Sequence, residues 1–122
     1  MNQLSQTVLK KIKDRKALVG VVGLGYVGLP LVKAFLKKGF AVTGFDVDKS
    51  KVDMLNKGKS YIKHVTASDL RPYMAKRKFE ATTDFVLMAK MDAILICVPT
   101  PLDAHRNPDL SFVLNTTETI AA

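Results

Sequence analysis

Apolar residues recur along this chain with two alternating periods. Leu4, Val8, Leu9 and Ile12 stand at helical spacing in a polar leader, which predicts an amphipathic helix over 1–16 packed beside the first strand. Leu18 to Val22 has the pattern of a buried strand, and Leu29, Val32, Phe35 and Leu36 predict a helix over 29–38 closed by Gly39. Phe40 to Phe45 reads as a second strand finishing at Asp46. Asp48 caps a short helix to Asn56 with Val52 and Leu55 inward, and 59–65 is a connection. Thr66 or Ser68 then caps a helix through Asp69, Leu70, Tyr73 and Met74, with Pro72 in its first turn, where a missing N–H costs little. Phe79 to Thr83 is a third strand, and Asp84 caps a short helix holding Phe85, Leu87 and Met88. Ala93 to Val98 is an unbroken apolar run, expected of a parallel strand buried on both faces. Asp109 opens a last helix with Leu110, Val113, Leu114 and Ile120 on one face.

Strands alternating with helices argue for an α/β doubly wound parallel sheet in the order 3-2-1-4, with a crevice between the carboxyl ends of the first and fourth strands. Gly23, Gly25 and Gly28 form G-x-G-x-x-G between the first strand and its helix. In that context Gly23 turns the chain off the strand, Gly25 leaves room for a pyrophosphate, and Gly28 lets helix and strand pack closely. The phosphates would meet unpaired N–H groups and the positive end of the helix dipole. Asp46 follows at close to the interval of about 20 residues expected of the acid that binds the adenosine ribose. Its charge favours NAD over NADP, and with Asp48 as the better cap it is left free for the ribose. The competing reading of Asp46 is a cap or turn residue. Lys51, one turn into the next helix, is placed to contact the ribose edge. Val98-Pro99-Thr100-Pro101 follows the fourth strand, held extended by its prolines, and is expected to border the ribose and nicotinamide end. A rigid loop without ligand contact is the alternative there.

The chain has 122 residues, 48% of them hydrophobic, enough for one compact domain over 1–122. It contains no apolar run of membrane-spanning length and no signal-peptide centre, which gives a cytoplasmic location by default. Nineteen Lys and Arg against 11 Asp and Glu give a net charge of +8. The cations fall on the leader, the first helix and a helix end, without interleaved aromatics or a recognition helix. That distribution suits a solvated face better than nucleic acid. The single cysteine, Cys97, lies in an apolar strand without an activating neighbour and reads as a small core hydrophobe. His64 and His105 sit in separate polar connections and suggest no metal pair. Tyr26 either covers the phosphates or packs at the strand end.

The string Gly23-Leu24-Gly25-Tyr26-Val27-Gly28-Leu29-Pro30, the Asp46 to Lys51 pair followed by Val52, the turn Val98-Pro99-Thr100-Pro101, and Pro108-Asp109-Leu110-Ser111-Phe112-Val113 together resemble the N-terminal domain of the UDP-glucose/GDP-mannose dehydrogenase family. They span nearly the whole chain. The stretch Lys59-Ser60-Tyr61-Ile62-Lys63-His64 with Pro101-Leu102 is most similar to the branch acting on UDP-N-acetylhexosamines, such as UDP-N-acetylglucosamine 6-dehydrogenases.

The resemblance implies a truncated Rossmann-type sheet and two NAD-linked oxidations of a sugar-nucleotide C6 alcohol to a carboxylate, through an aldehyde and a thioester on a cysteine. Gly23, Leu24, Gly25, Tyr26, Val27 and Gly28 would line the pyrophosphate, Asp46, Val47 and Lys51 the adenosine ribose, and Val98, Pro99 and Thr100 the other half of NAD. The partners it implies are NAD and, for the full-length enzyme, a UDP-sugar, with no nucleic acid and no membrane. A homodimer through apolar surface that the missing part would cover stays open. The family's catalytic cysteine and lysine belong to a region beyond Ala122, so the chain is expected to be an inactive cofactor-binding segment. Two other readings stay open: a non-catalytic NAD-sensing module, and an S-adenosylmethionine methyltransferase, whose glycine loop has a similar setting.

Overall fold

A computed structural model describes residues 2–63 and 65–121. Met1, His64 and Ala122, which carry parts of the expected leader, connection and last helix, lie outside the described residues. Helix α1 (Gln3–Lys13) leads into strand β1 (Leu18–Val22), α2 (Gly28–Lys37), β2 (Ala41–Phe45), α3 (Lys49–Asn56), α4 (Ala67–Ala75) and β3 (Phe79–Thr82). A 3₁₀ helix (Phe85–Lys90), β4 (Ala93–Ile96) and α5 (Ser111–Ala121) follow. The sheet is parallel throughout and ordered β3-β2-β1-β4, as the alternation predicts.

The main core lies between the sheet and α2, α3 and α4. Leu29, Val32 and Leu36 from α2 and Val52 and Leu55 from α3 are buried against Val19, Val21, Val42 and Phe79 of the strands. Leu70 closes the group from α4. The Lys33 ammonium sits 3.1 Å from the Asp69 carboxylate and links α2 to α4. On the other face, Val22 and Phe45 pack against Met88 of the 3₁₀ helix, with Ile120 of α5 at the margin.

Caps fall where the side chains dictate. Asp48 accepts from the Ser50 amide at 2.9 Å and Asp84 from Val86 at 3.1 Å, whereas Asp109, expected to open the last helix, lies two residues before α5 and accepts from the Ser111 amide at 2.9 Å. Thr66, not Ser68, caps α4, in a reciprocal box with Asp69. Because α4 therefore begins at Ala67, Pro72 lies past the first turn and not within it, and one carbonyl of the helix loses its donor.

Three packing expectations are corrected. β4 is an edge strand, paired with β1 alone, so its residues are half-buried or exposed and not covered on both faces. Helix α1 forms, but none of its residues is buried: Leu4, Leu9 and Ile12 are exposed. Its tether is polar. Asp92, just before β4, accepts from Lys11 at 3.1 Å and from the Leu18 amide at 2.8 Å, which draws the end of α1 to the sheet while leaving the apolar stripe outside. In α5 only Val113 and Ile120 of the expected face are half-buried, and Leu114, like Leu110 before the helix, is exposed.

Candidate functional site

A cleft of about 930 Å³ opens at the carboxyl ends of β1, β2 and β4. One wall is the β1–α2 loop. Gly23 has φ +95°, and a Cβ there would come within 2.4 Å of the Cys97 carbonyl oxygen, so only glycine fits the close approach to the segment after β4. A Cβ on Gly28 would fall 1.7 Å from the Gly23 carbonyl oxygen, whereas one on Gly25 would meet nothing within 4 Å. The three glycines thus divide into two that seal backbone against backbone and one that faces open space.

Helix α2 begins without a side-chain cap. Among the described residues the amides of Gly25, Tyr26, Val27 and Gly28 donate to no acceptor. Four free N–H groups at the positive end of a helix, over a cleft left open at Gly25, have the chemistry to hold a diphosphate. The residues present therefore fit a dinucleotide by the donors they offer and by the space they leave.

Asp46 ends β2 as a buried carboxylate. It is not free in the sense expected: Oδ2 accepts from the Leu24 amide and Oδ1 from the Asp48 amide, each at 2.9 Å. It acts as a turn residue and a brace for the glycine loop, and each oxygen keeps a second lone pair for a ligand hydroxyl. The Lys51 ammonium stands 5.8 Å above the Tyr61 ring. The Tyr61 hydroxyl donates to the Leu24 carbonyl. Burial, and then the charges of Asp46 and Asp48, raise the Tyr61 phenol well above its ordinary range and keep it a donor.

Of the residues singled out in the sequence, Gly23 to Val27, Asp46, Val47, Lys51 and Val98 to Thr100 all line this one cleft, and Gly28 lies behind it as packing. Tyr26 is 81% exposed at the mouth, so it does not pack at the strand end. Cys97 lies in the lining, half-buried, with its thiol pushed up by burial alone. His105 lies in an exposed loop outside the lining. Phe112, Asn115, Thr116 and Thr119 of α5, which no motif in the sequence marks, form the far wall of the cleft. Their spacing over two helical turns was the available signal, and it was masked by the apolar residues interleaved with it.

A parallel sheet in this order, with a glycine-rich turn feeding a helix and an acid ending the second strand, defines a dinucleotide-binding domain of the Rossmann type. The chain belongs to the UDP-glucose/GDP-mannose dehydrogenase family: residues 17–122 match that family's NAD binding domain. It is 35% identical over 104 residues to UDP-N-acetyl-D-mannosamine dehydrogenase of Salmonella typhimurium, covering 84% of this chain and 24% of that protein. Among solved structures it is similar to the UDP-D-ManNAc dehydrogenase of Pyrococcus horikoshii, with a TM-score of 0.79 and 30% identity over 85% of this chain and 25% of the other. The NDP-N-acetyl-D-galactosaminuronic acid dehydrogenase of Methanosarcina mazei matches with a TM-score of 0.78 and 29% identity, over 98% of this chain and 27% of the other. The chain thus spans about a quarter of the length of these dehydrogenases. The cofactor of the domain is NAD.

Proposed function

We propose that this chain is the NAD-binding N-terminal part of a nucleotide-sugar 6-dehydrogenase that oxidises the C6 alcohol of a UDP-sugar, of the UDP-N-acetylhexosamine class, to the uronate. The observation that carries the cofactor half is the run of unpartnered amides at 25–28 beside open space at Gly25. The amides of Gly25, Tyr26, Val27 and Gly28 hold the pyrophosphate, with Gly23, Leu24 and the packing of the Gly28 Cα shaping the loop. Asp46, Val47 and Lys51 take the adenosine ribose, and Val98, Pro99 and Thr100 border the nicotinamide half. The bound NAD supplies a hydride acceptor. The residues of this chain bind and orient it and carry no catalytic role of their own. The substrate class is supported by what the similar proteins are named for and by the Lys59 to His64 stretch.

Calorimetric titration of NAD, NADP and S-adenosylmethionine into the protein tests this. NAD is expected to bind at one site and more tightly than either rival, and the chain alone is expected to turn over no UDP-sugar. Preference for S-adenosylmethionine would reject the cofactor reading. Measurable dehydrogenation would reject the assignment of catalysis to residues beyond this chain.

A further inference from the structure

Leu24 stands between the two glycines that shape the loop, and both of its backbone polar groups are held by side chains from elsewhere in the fold. Its N–H donates to Asp46 Oδ2 at 2.9 Å, and its carbonyl accepts from the Tyr61 hydroxyl. Its side chain is fully buried, so the residue has no freedom to pivot. A trans peptide is rigid and sets its C=O and N–H on opposite sides. The Asp46 bond at the Leu24 N–H therefore turns the Gly23 carbonyl the other way, toward Gly28, where a Cβ would fall 1.7 Å from that oxygen. By the same rule, the hydroxyl that holds the Leu24 carbonyl turns the Gly25 N–H away from Tyr61. Gly25 lines the cleft, Tyr61 does not, and the Gly25 amide donates to no acceptor among the described residues.

We propose that Tyr61 is a positioning residue for the phosphate cradle: its hydroxyl, through the Leu24–Gly25 peptide, aims the Gly25 amide at the pyrophosphate. The inference rests on the NAD reading above and assigns a role within that site to a residue outside the glycine motif. Tyr61 sits in the connection between α3 and α4, and its ring lies under the Lys51 ammonium, so one side chain supports both the phosphate loop and the cation at the ribose end. Its raised phenol pKa leaves the hydroxyl protonated throughout the neutral range.

Tyr61→Phe removes the hydroxyl and keeps the ring beneath Lys51. Titration of NAD, ADP and adenosine, followed by amide resonances, separates aiming from general loosening. In Tyr61→Phe the affinity for ADP and NAD is expected to fall by about three- to tenfold, the scale of one lost orienting hydrogen bond. Adenosine, which has no phosphate, is expected to stay within about twofold. In the unliganded protein the Leu24 and Gly25 resonances should move while those of Gly20 and Gly44 stay in place. Unchanged ADP affinity, or an equal loss for adenosine and ADP, would overturn the inference. If the parent chain took no NAD, the function reading would fall by itself. The inference would then be judged by the unliganded resonances, and unmoved Leu24 and Gly25 signals would overturn it.

Discussion

At the scale of single residues, the glycines of one motif do different physical work, and substitution separates it. Gly28→Ala drives a methyl into the Gly23 carbonyl, a backbone atom that cannot step aside. Denaturant unfolding should show a loss of about 3 kcal/mol or more, or no folded protein. Gly25→Ala places the same methyl in open space, so stability should change by less than about 1 kcal/mol while NAD affinity drops at least about tenfold, because the methyl occupies the path to the amides. Equal behaviour of the two variants would remove the distinction. Asp46→Asn leaves one oxygen where two accept backbone amides, and should cost about 1–3 kcal/mol in unfolding free energy as well as weakening NAD. A different rule applies to Arg77, which follows α4 with φ 57° in the left-handed region. Arg77→Gly should raise stability by about 0.5–1 kcal/mol in the same assay, as relief of that conformation.

At the scale of elements, the strands, helices and their order follow from periodicity and caps that the sequence displays openly. The Gly23 to Gly28 turn, the Asp46 terminus and the Val98 to Thr100 turn were legible because each combines a residue type with a position at a strand end. What was not legible depends on partners distant in sequence. The second wall of the cleft is the Phe112–Thr119 face of α5, a helix set against the 3₁₀ helix, and that face is not the most apolar stripe. The Asp46 bond to the Leu24 amide and the reach of Tyr61 to the Leu24 carbonyl join residues 22 and 37 positions apart, which no local pattern reports. Helix α1 illustrates the same limit, since its amphipathic spacing predicted packing and the Asp92 tether decided its place. The Leu18 amide, and then Lys11, hold the Asp92 carboxyl below its ordinary range. A depressed carboxylate pKa gives stabilisation that is complete above the unfolded value near 4 and is lost as pH falls through the folded one. Acidification below about pH 4 should therefore shift the amide resonances of α1 and Leu18 before those of β2. Asp92→Asn should reproduce the shift at neutral pH, and indifference of α1 to both would contradict the tether.

At the scale of the whole molecule, the sheet order brings three chain segments, after β1, β2 and β4, to one end of the sheet, where a large cleft has free amides on one side and Phe112, Asn115, Thr116 and Thr119 of α5 on the other. The only cysteine of the sequence lines that cleft. Its raised pKa means that alkylation is slow at neutral pH and accelerates as pH rises, and saturating NAD should slow it further at any pH. An alkylation rate indifferent to NAD would place the cofactor elsewhere. Amide-resolved NMR of the protein during NAD titration reads the proposed contact between the Gly25 to Gly28 amides and the diphosphate itself. The largest shifts are expected on Gly25, Tyr26, Val27 and Gly28, saturating together with those of Asp46 and Lys51. Shifts elsewhere with these amides unmoved would contradict it.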